Sequence, residues 1–199
     1  MLGLGNSLCN GGLVPKFDPT FISDLEFWFR YDQNVVLASG TSLVDTWIDS
    51  TNTYYAKSAD GGNDRPTWTS SSITFDGTDD SLEFFEANGT TQNPKTLDTS
   101  GGWTVGAIYT DADWDAANTA IVGDANSNHH FIRHSIASGG SKFTVKATNQ
   151  QRHLALDSSL TDDRYYSIMV TCSAAGELLL YIDNTVQTTG ADFTDDTKD

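Results

Sequence analysis

Two clusters of aspartates have the spacing of metal ligands, and calcium is the ion that several carboxylate oxygens favour. In one cluster, Asp111, Asp113 and Asp115 alternate along the chain, as ligands do at the start of an EF-hand loop. A complete EF-hand is excluded, because Ala116 and Val122 stand where that loop requires glycine and glutamate. Two interpretations remain: a calcium loop of another kind, or a turn in which aspartates bond the backbone.

The second cluster consists of Asp76, Asp79 and Asp80. The same two interpretations apply to it, a bound calcium ion or an aspartate-rich turn that caps a sheet. A divalent ion would relieve the repulsion between carboxylates in a chain whose net charge is −16. The sequence therefore suggests either no cofactor or calcium, at one of these two clusters.

A tryptophan beside the first cluster is a candidate for glycan binding. Trp114 is surrounded by aspartate and alanine in a predicted loop. If its ring were exposed, it could stack on a sugar while Asp113, Asp115 and Asn118 bonded the hydroxyl groups. The alternative is that Trp114 anchors the loop by folding back onto the rest of the protein.

The chain does not contain the residue pattern of a hydrolase. A retaining glycosidase needs two carboxylates about 5 Å apart. Glu83 and Glu86 are three residues apart, so in a strand they point to opposite faces, while Glu26 and Glu177 are isolated. No Gly-x-Ser-x-Gly element is present to supply an acyl-transfer nucleophile. We therefore expect no enzymatic activity and no catalytic residues.

Short apolar runs bounded by turn residues follow one another from Leu25 onward, and several alternate with a period of two. Trp28 and Trp47 lie in such runs and are expected to be buried in the core. The runs predict strands at 25–30, 42–48, 72–75, 81–85, 103–110, 119–123, 130–135, 142–147, 152–157, 164–172 and 177–183.

The composition favours strands joined by many turns. The chain has 23 Asp, only 4 Glu and 17 Gly, and Asp and Gly favour turns whereas Glu favours helices. Asp183 and Asn184 follow a strand pattern and predict a two-residue hairpin turn. Many strands without helices between them predict an all-β fold, a two-sheet antiparallel sandwich.

The first 20 residues differ from the rest and predict an extended, glycine-rich N-terminal arm. Its apolar residues are more numerous than a solvated linker needs: Leu2, Leu4, Leu8, Leu13 and Val14, together with Met1. The arm is either a disordered terminus or a segment that docks on a neighbouring subunit, and we favour docking.

The charge and the two cysteines limit the partners and the compartment. A net charge of −16 repels phosphate groups, so we expect no binding to nucleic acid or to an anionic membrane. No apolar run has the roughly 20 residues that span a bilayer, and the start lacks the features of a signal peptide. Cys9 and Cys172 predict free thiols rather than a disulfide framework, which fits assembly in a reducing cytoplasm.

Three groups of motifs resemble one known family. They are LEFWFRYD (25–32) with VDTWIDSTNTYYA (44–56) and RPTW (65–68), then ITFDGTDDSL (73–82), then RYYSIMVTCSAAGELLLYIDNTVQTTG (164–190). In this order they resemble the concanavalin A-like lectin/glucanase superfamily, and in particular the laminin-G-like jelly rolls of phage and bacterial surface proteins. The resemblance implies a jelly-roll domain over 21–199. The family's closing strand after the late hairpin has no counterpart before residue 199.

The resemblance and the arm together lead to a functional expectation. The leading hypothesis is a non-enzymatic virion structural protein of a tailed bacteriophage, assembled in the host cytoplasm. It would be a capsid decoration, fibre or tail-associated module that contacts other virion proteins or copies of itself through the arm, with a possible cell-surface glycan as a further partner. The alternative is a lectin-like carbohydrate-binding module of a bacterial cell-surface protein.

Overall fold

The computed structural model describes residues 22–58, 64–86, 90–91, 97, 102–114, 119–123, 131–137, 140–147, 150–188 and 191–192. Every regular element in these residues is a β-strand, and every strand pairing is antiparallel. The described part of the chain contains no helix of the length and apolarity that crossing a membrane requires. The predicted all-β class is confirmed. The arm, with Leu2, Leu4, Leu8, Leu13 and Val14, lies outside the described residues.

The strands belong to two compact units, and the first six form the N-terminal unit. A four-stranded sheet has the order β1-β2-β3-β6, and β4 and β5 form a separate two-stranded sheet. The strands are β1 (Val35–Leu37), β2 (Val44–Ile48), β3 (Tyr54–Lys57), β4 (Thr67–Trp68), β5 (Ile73–Thr74) and β6 (Glu83–Glu86).

The remaining nine strands form the C-terminal unit. They are β7 (Trp103–Tyr109), β8 (Thr119–Gly123), β9 (Phe131–Ala137), β10 (Gly140–Ala147), β11 (Gln150–Ala155), β12 (Tyr166–Cys172), β13 (Glu177–Ile182), β14 (Thr185–Val186) and β15 (Ala191–Asp192). One sheet has the order β11-β10-β9-β8. The other has the order β14-β13-β12-β7, with β15 also paired to β13.

Both sheets of the C-terminal unit contribute to one apolar core. The alternation predicted from the sequence is seen directly in β12, where every second residue from Tyr166 to Cys172 is buried. The core comprises Trp114, Ile132, Phe143, Val145, Ala147, Leu154, Tyr166, Ile168, Val170, Cys172, Leu178, Leu180 and Ile182. Cys172, a free thiol, is one of these buried groups.

Trp114 is the largest side chain in this core and is only 1% exposed. Its ring meets those of Tyr109, His134 and Tyr166 edge to face, at centroid distances of 4.9, 5.2 and 5.7 Å. The three partners come from β7, β9 and β12, so the tryptophan joins strands of both sheets. Its backbone N–H donates to Oδ1 of Asp162 at 2.9 Å, which fixes the loop at the position of the ring.

A buried amide also ties the two sheets at one edge. Gln187, which follows β14, accepts the N–H of Asp157 at Oε1 (2.9 Å) and donates from Nε2 to the carbonyl of Thr185 (3.1 Å). The Asp157 carboxylate in turn accepts the N–H of Thr188 (3.0 Å). Because Asp157 follows β11, these bonds join the ends of strands from different sheets.

The segment 25–30 in the N-terminal unit differs from the prediction, because it is not a β-strand. It is held by Ser50 N–H, which donates to the carbonyl of Trp28 (2.7 Å), and by the indole N–H of Trp47, which donates to the carbonyl of Arg30 (2.8 Å). Its apolar character comes from ring packing: Phe29 lies 5.3 Å from Trp47. Trp28 and Trp47 are half-buried, so the expectation of full burial was wrong.

Each of the other ten predicted runs contains a strand, with ends shifted by a few residues. The hairpin turn is also confirmed, since Asp183 and Asn184 have positive φ values of 48° and 65° between β13 and β14. The strands β1, β3, β4, β14 and β15 were not predicted as such; three of them have only two residues, too short for any period to show.

Replacing Trp114 by alanine should destabilise the C-terminal unit by about 3–5 kcal/mol, because it removes a fully buried ring and leaves a cavity. Urea denaturation measures this loss. Tyr165→Ala is the matched control: Tyr165 is 56% exposed, and its replacement should cost no more than about 0.5 kcal/mol. Equal stability of Trp114→Ala and the wild type would show that the ring is not the centre of the core.

Candidate functional site

The turn at residues 76–80, between β5 and β6, brings three carboxylates together. Asp76, Asp79 and Asp80 each offer an oxygen, and these oxygens lie within 4.8 Å of one another. Among the described residues this is the group of His, Cys, Asp and Glu side chains with the convergence that a metal ion requires. Gly77 has a φ of 76°, which reverses the chain and allows the three side chains to meet.

The same carboxylates also hold the turn through hydrogen bonds. Asp80 Oδ2 accepts the N–H of Asp76, and Asp76 Oδ1 accepts the N–H of Thr78, both at 2.8 Å. The bond from Thr78 lowers the pKa of Asp76, because it stabilises the ionised form. The pKa of Asp79 is raised instead, by loss of surrounding water and by the negative charges of Asp76, Asp64 and Asp80.

The three carboxylates of this turn could bind a calcium ion weakly. Two oxygens bound to one calcium ion at the usual 2.3–2.6 Å cannot be much more than about 5 Å apart, and the observed separations satisfy that limit. The three residues would supply about half of the 6–8 oxygens that calcium takes, so water would supply the rest. The carboxylates that bond the backbone keep a second oxygen, so capping the turn and binding the ion are compatible.

In the described part of the loop after β7, Asp111 accepts hydrogen bonds from residues close to it in the sequence. Asp111 Oδ2 accepts the hydroxyl of Tyr109 (3.2 Å), and Asp111 Oδ1 accepts the N–H of Asp113 (3.1 Å). Within the described residues, neither aspartate belongs to a convergent group of three. Asp115 and Asn118 lie outside the described residues, so the predicted calcium loop and glycan contacts stay predictions at those positions.

The interpretation of Trp114 as a sugar-stacking platform is wrong. A stacking ring must present a face to solvent, and Trp114 is 1% exposed, with its ring surrounded by Tyr109, His134 and Tyr166. Trp114 instead anchors its loop by packing against the strands, as the alternative interpretation predicted. Asp113, its neighbour, is exposed.

Asp49 is a structurally important carboxylate that the sequence analysis missed. It is fully buried and accepts the N–H groups of Thr51 (2.7 Å), Thr53 (2.8 Å) and Tyr54, together with the hydroxyl of Thr51. This arrangement closes the turn between β2 and β3. The signal was present in the sequence as an aspartate directly before the turn residues Ser50-Thr51-Asn52-Thr53.

Comparison of the chain with protein-family models, with curated proteins and with solved structures finds no match.

Asp79→Asn should stabilise the N-terminal unit at pH 7. A raised pKa means that folding is favoured where Asp79 is protonated, and that this advantage is lost as the pH rises through the folded pKa. The amide has no charge to be repelled, so the gain over wild type should be present at pH 7 and vanish below the ordinary value of 3.8. Millimolar calcium chloride should stabilise the wild type and add nothing to the variant.

Asp76→Asn is the matched comparison, and its change in stability at pH 7 should have the opposite sign. The lowered pKa of Asp76 contributes stability above the ordinary value of 3.8, and this contribution is lost as the pH falls through the folded pKa. The variant should therefore be less stable than the wild type at pH 7. Urea denaturation at several pH values measures both variants, and the same sign of change in both would contradict this account of the turn.

Proposed function

We propose that this chain is a non-enzymatic structural protein of a tailed-phage virion, a capsid decoration, fibre or tail-associated module. In this proposal the strands form a jelly roll of the concanavalin A-like, laminin-G-like kind, and the N-terminal arm attaches the module to other virion proteins or to copies of itself. Assembly takes place in the host cytoplasm.

The observation that carries the proposal is the use of carboxylates to fix the backbone. Asp49, Asp111 and Asp157 each accept backbone N–H groups beside a strand. The Asp183 carboxylate accepts the N–H of Ser167 (3.0 Å) and forms an ion pair with Arg164 (2.8 Å). These contacts connect the hairpin turn to β12. Acidic groups that bond the backbone rigidify a scaffold.

The positions of the four glutamates support a role without catalysis. Glu83 and Glu86 stand at the two ends of β6 and so point to opposite faces. Glu26 accepts the hydroxyl of Tyr54, and Glu177 is exposed at the start of β13. The placement of Glu83 and Glu86 on opposite faces differs from the pair about 5 Å apart that a retaining glycosidase uses.

Two features support the jelly-roll fold. The C-terminal unit has two antiparallel sheets around one core, which is the layer arrangement of a sandwich. The motifs that carry the family resemblance also fall at turns: Gly77 has positive φ within the Phe75-Asp76-Gly77 segment, and Asp183 and Asn184 form the late hairpin. Turn chemistry and motif therefore agree.

The alternative is a lectin-like carbohydrate-binding module of a bacterial cell-surface protein. It is compatible with the same fold, since sandwiches of this kind serve both as scaffolds and as lectins. The specific observation in its favour is a small aromatic depression in the N-terminal unit, lined by Tyr31 and Trp68 among others. The two functions are also compatible with each other if the virion module binds a host sugar.

Deleting residues 1–14 should abolish incorporation into virions while leaving the β-sheet circular dichroism unchanged. The arm carries apolar side chains and no charge, and burying several hundred Å² of them against a partner would contribute several kcal/mol at ~25 cal/mol per Å². Mass spectrometry of purified particles measures incorporation of wild type and variant.

A full-length variant with Leu2, Leu4 and Leu8 replaced by serine is the control for chain length. It keeps the glycines and the length of the arm, so it should fail to incorporate as the deletion does. Normal incorporation of both variants would show that the arm does not attach the module. Absence of the wild-type chain from purified particles would contradict the virion role itself.

A further inference from the structure

A small open depression lies in the N-terminal unit, beside the start of β1 and the end of β4. Its volume is about 170 Å³. It is lined by Tyr31, Asp32, Gln33, Asn34, Val35, Leu37 and Trp68. Two aromatic residues and three polar residues thus line one place on the surface of this unit.

Hydrogen bonds to the backbone hold this depression in shape. The indole N–H of Trp68 donates to the carbonyl of Tyr31 (2.8 Å), and the indole N–H of Trp47 donates to the carbonyl of Arg30 (2.8 Å). The N–H of Ile48 donates to the carbonyl of Asn34 (3.0 Å). The segment 30–34 is therefore fixed at several carbonyls before any ligand arrives, which lowers the entropy that binding must overcome.

The polar side chains of the depression are placed for contact with a ligand. Gln33 and Asn34 are exposed, and their amides have no hydrogen-bond partner within the part of the chain that the structure describes. Each amide offers two donors and an acceptor. Asp32 is held in one orientation by two bonds from Arg30, at 3.0 and 2.6 Å, and its carboxylate adds acceptors.

The backbone supports this placement at Asn34, whose φ of 57° lies in the left-handed region. A side chain other than glycine is uncommon there, although asparagine tolerates it best. The carbonyl of Asn34 accepts the N–H of Ile48, so the backbone that carries the exposed amide is fixed.

We infer that this depression binds one neutral pyranose ring of a glycan, with Tyr31 and Trp68 against the ring and Gln33, Asn34 and Asp32 at its hydroxyl groups. The volume is below the 300–1,000 Å³ typical of sites for drug-sized ligands, so it holds a single ring whose chain continues into solvent. The carboxylate of Asp32 and the chain's charge of −16 disfavour an acidic sugar. This inference rests on the glycan-binding alternative and names its site.

The test uses methyl glycosides of glucose, galactose, mannose and N-acetylglucosamine as probes, with ligand-observed NMR on the full chain to measure binding. Tyr31→Ala removes an exposed ring, while the Tyr31 carbonyl that Trp68 needs remains. Asn34→Gly removes the amide and keeps a residue that accepts positive φ. Tyr165→Ala is the control, since it removes an exposed tyrosine from the C-terminal unit.

At least one glycoside should bind the wild type, with affinity lowered about three- to tenfold in Tyr31→Ala and in Asn34→Gly and unchanged in Tyr165→Ala. Circular dichroism establishes that each variant is folded. If a glycoside binds and both variants match the wild type, this site is wrong while glycan binding stands. If no glycoside binds the wild type, the site and the glycan-binding function are both overturned, and the virion role is judged by the particle experiment alone.

Discussion

A buried carboxylate that accepts backbone N–H groups is the interaction on which the N-terminal sheet depends. Asp49 is removed from water, and a buried polar group is tolerated only when hydrogen bonds replace its hydration. The amides of Thr51, Thr53 and Tyr54 supply those bonds. They close the turn that sets β2 against β3, and β1 and β6 pair with those two strands in turn.

The same interaction accounts for several of the aspartates in a chain that has many aspartates and few glutamates. The short side chain of aspartate reaches the N–H groups just beyond it, as Asp76 and Asp111 do at other turns. The acidic surface is thus partly a consequence of how the strands are connected. In the part of the chain that the structure describes, these bonds hold the turns in place, which suits the attachment role that we propose.

The sequence predicted the strands better than it predicted the loops. Alternation along 142–147 located β10, because burial on one face imposes a period of two, while apolar runs bounded by turn residues located β12 and β13. The burial of Trp114 could not be predicted from its neighbours in the sequence, since two of the three rings that enclose it, those of His134 and Tyr166, come from distant strands. The depression at Tyr31 and Trp68 was missed for the same reason: the indole of Trp68 reaches the backbone carbonyl of Tyr31 across 37 residues.

Native-state amide hydrogen exchange tests the central claim, that carboxylates hold the turns of this fold. The turn between β2 and β3 is the decisive place, because the Thr53 amide lies outside the strands and has the Asp49 carboxylate as its acceptor. Exchange of this amide at neutral pH should be slowed to a rate similar to those of the adjoining strands. Exchange of Thr53 at the rate of an unstructured peptide, with the amides of β2 and β3 still protected, would contradict the account.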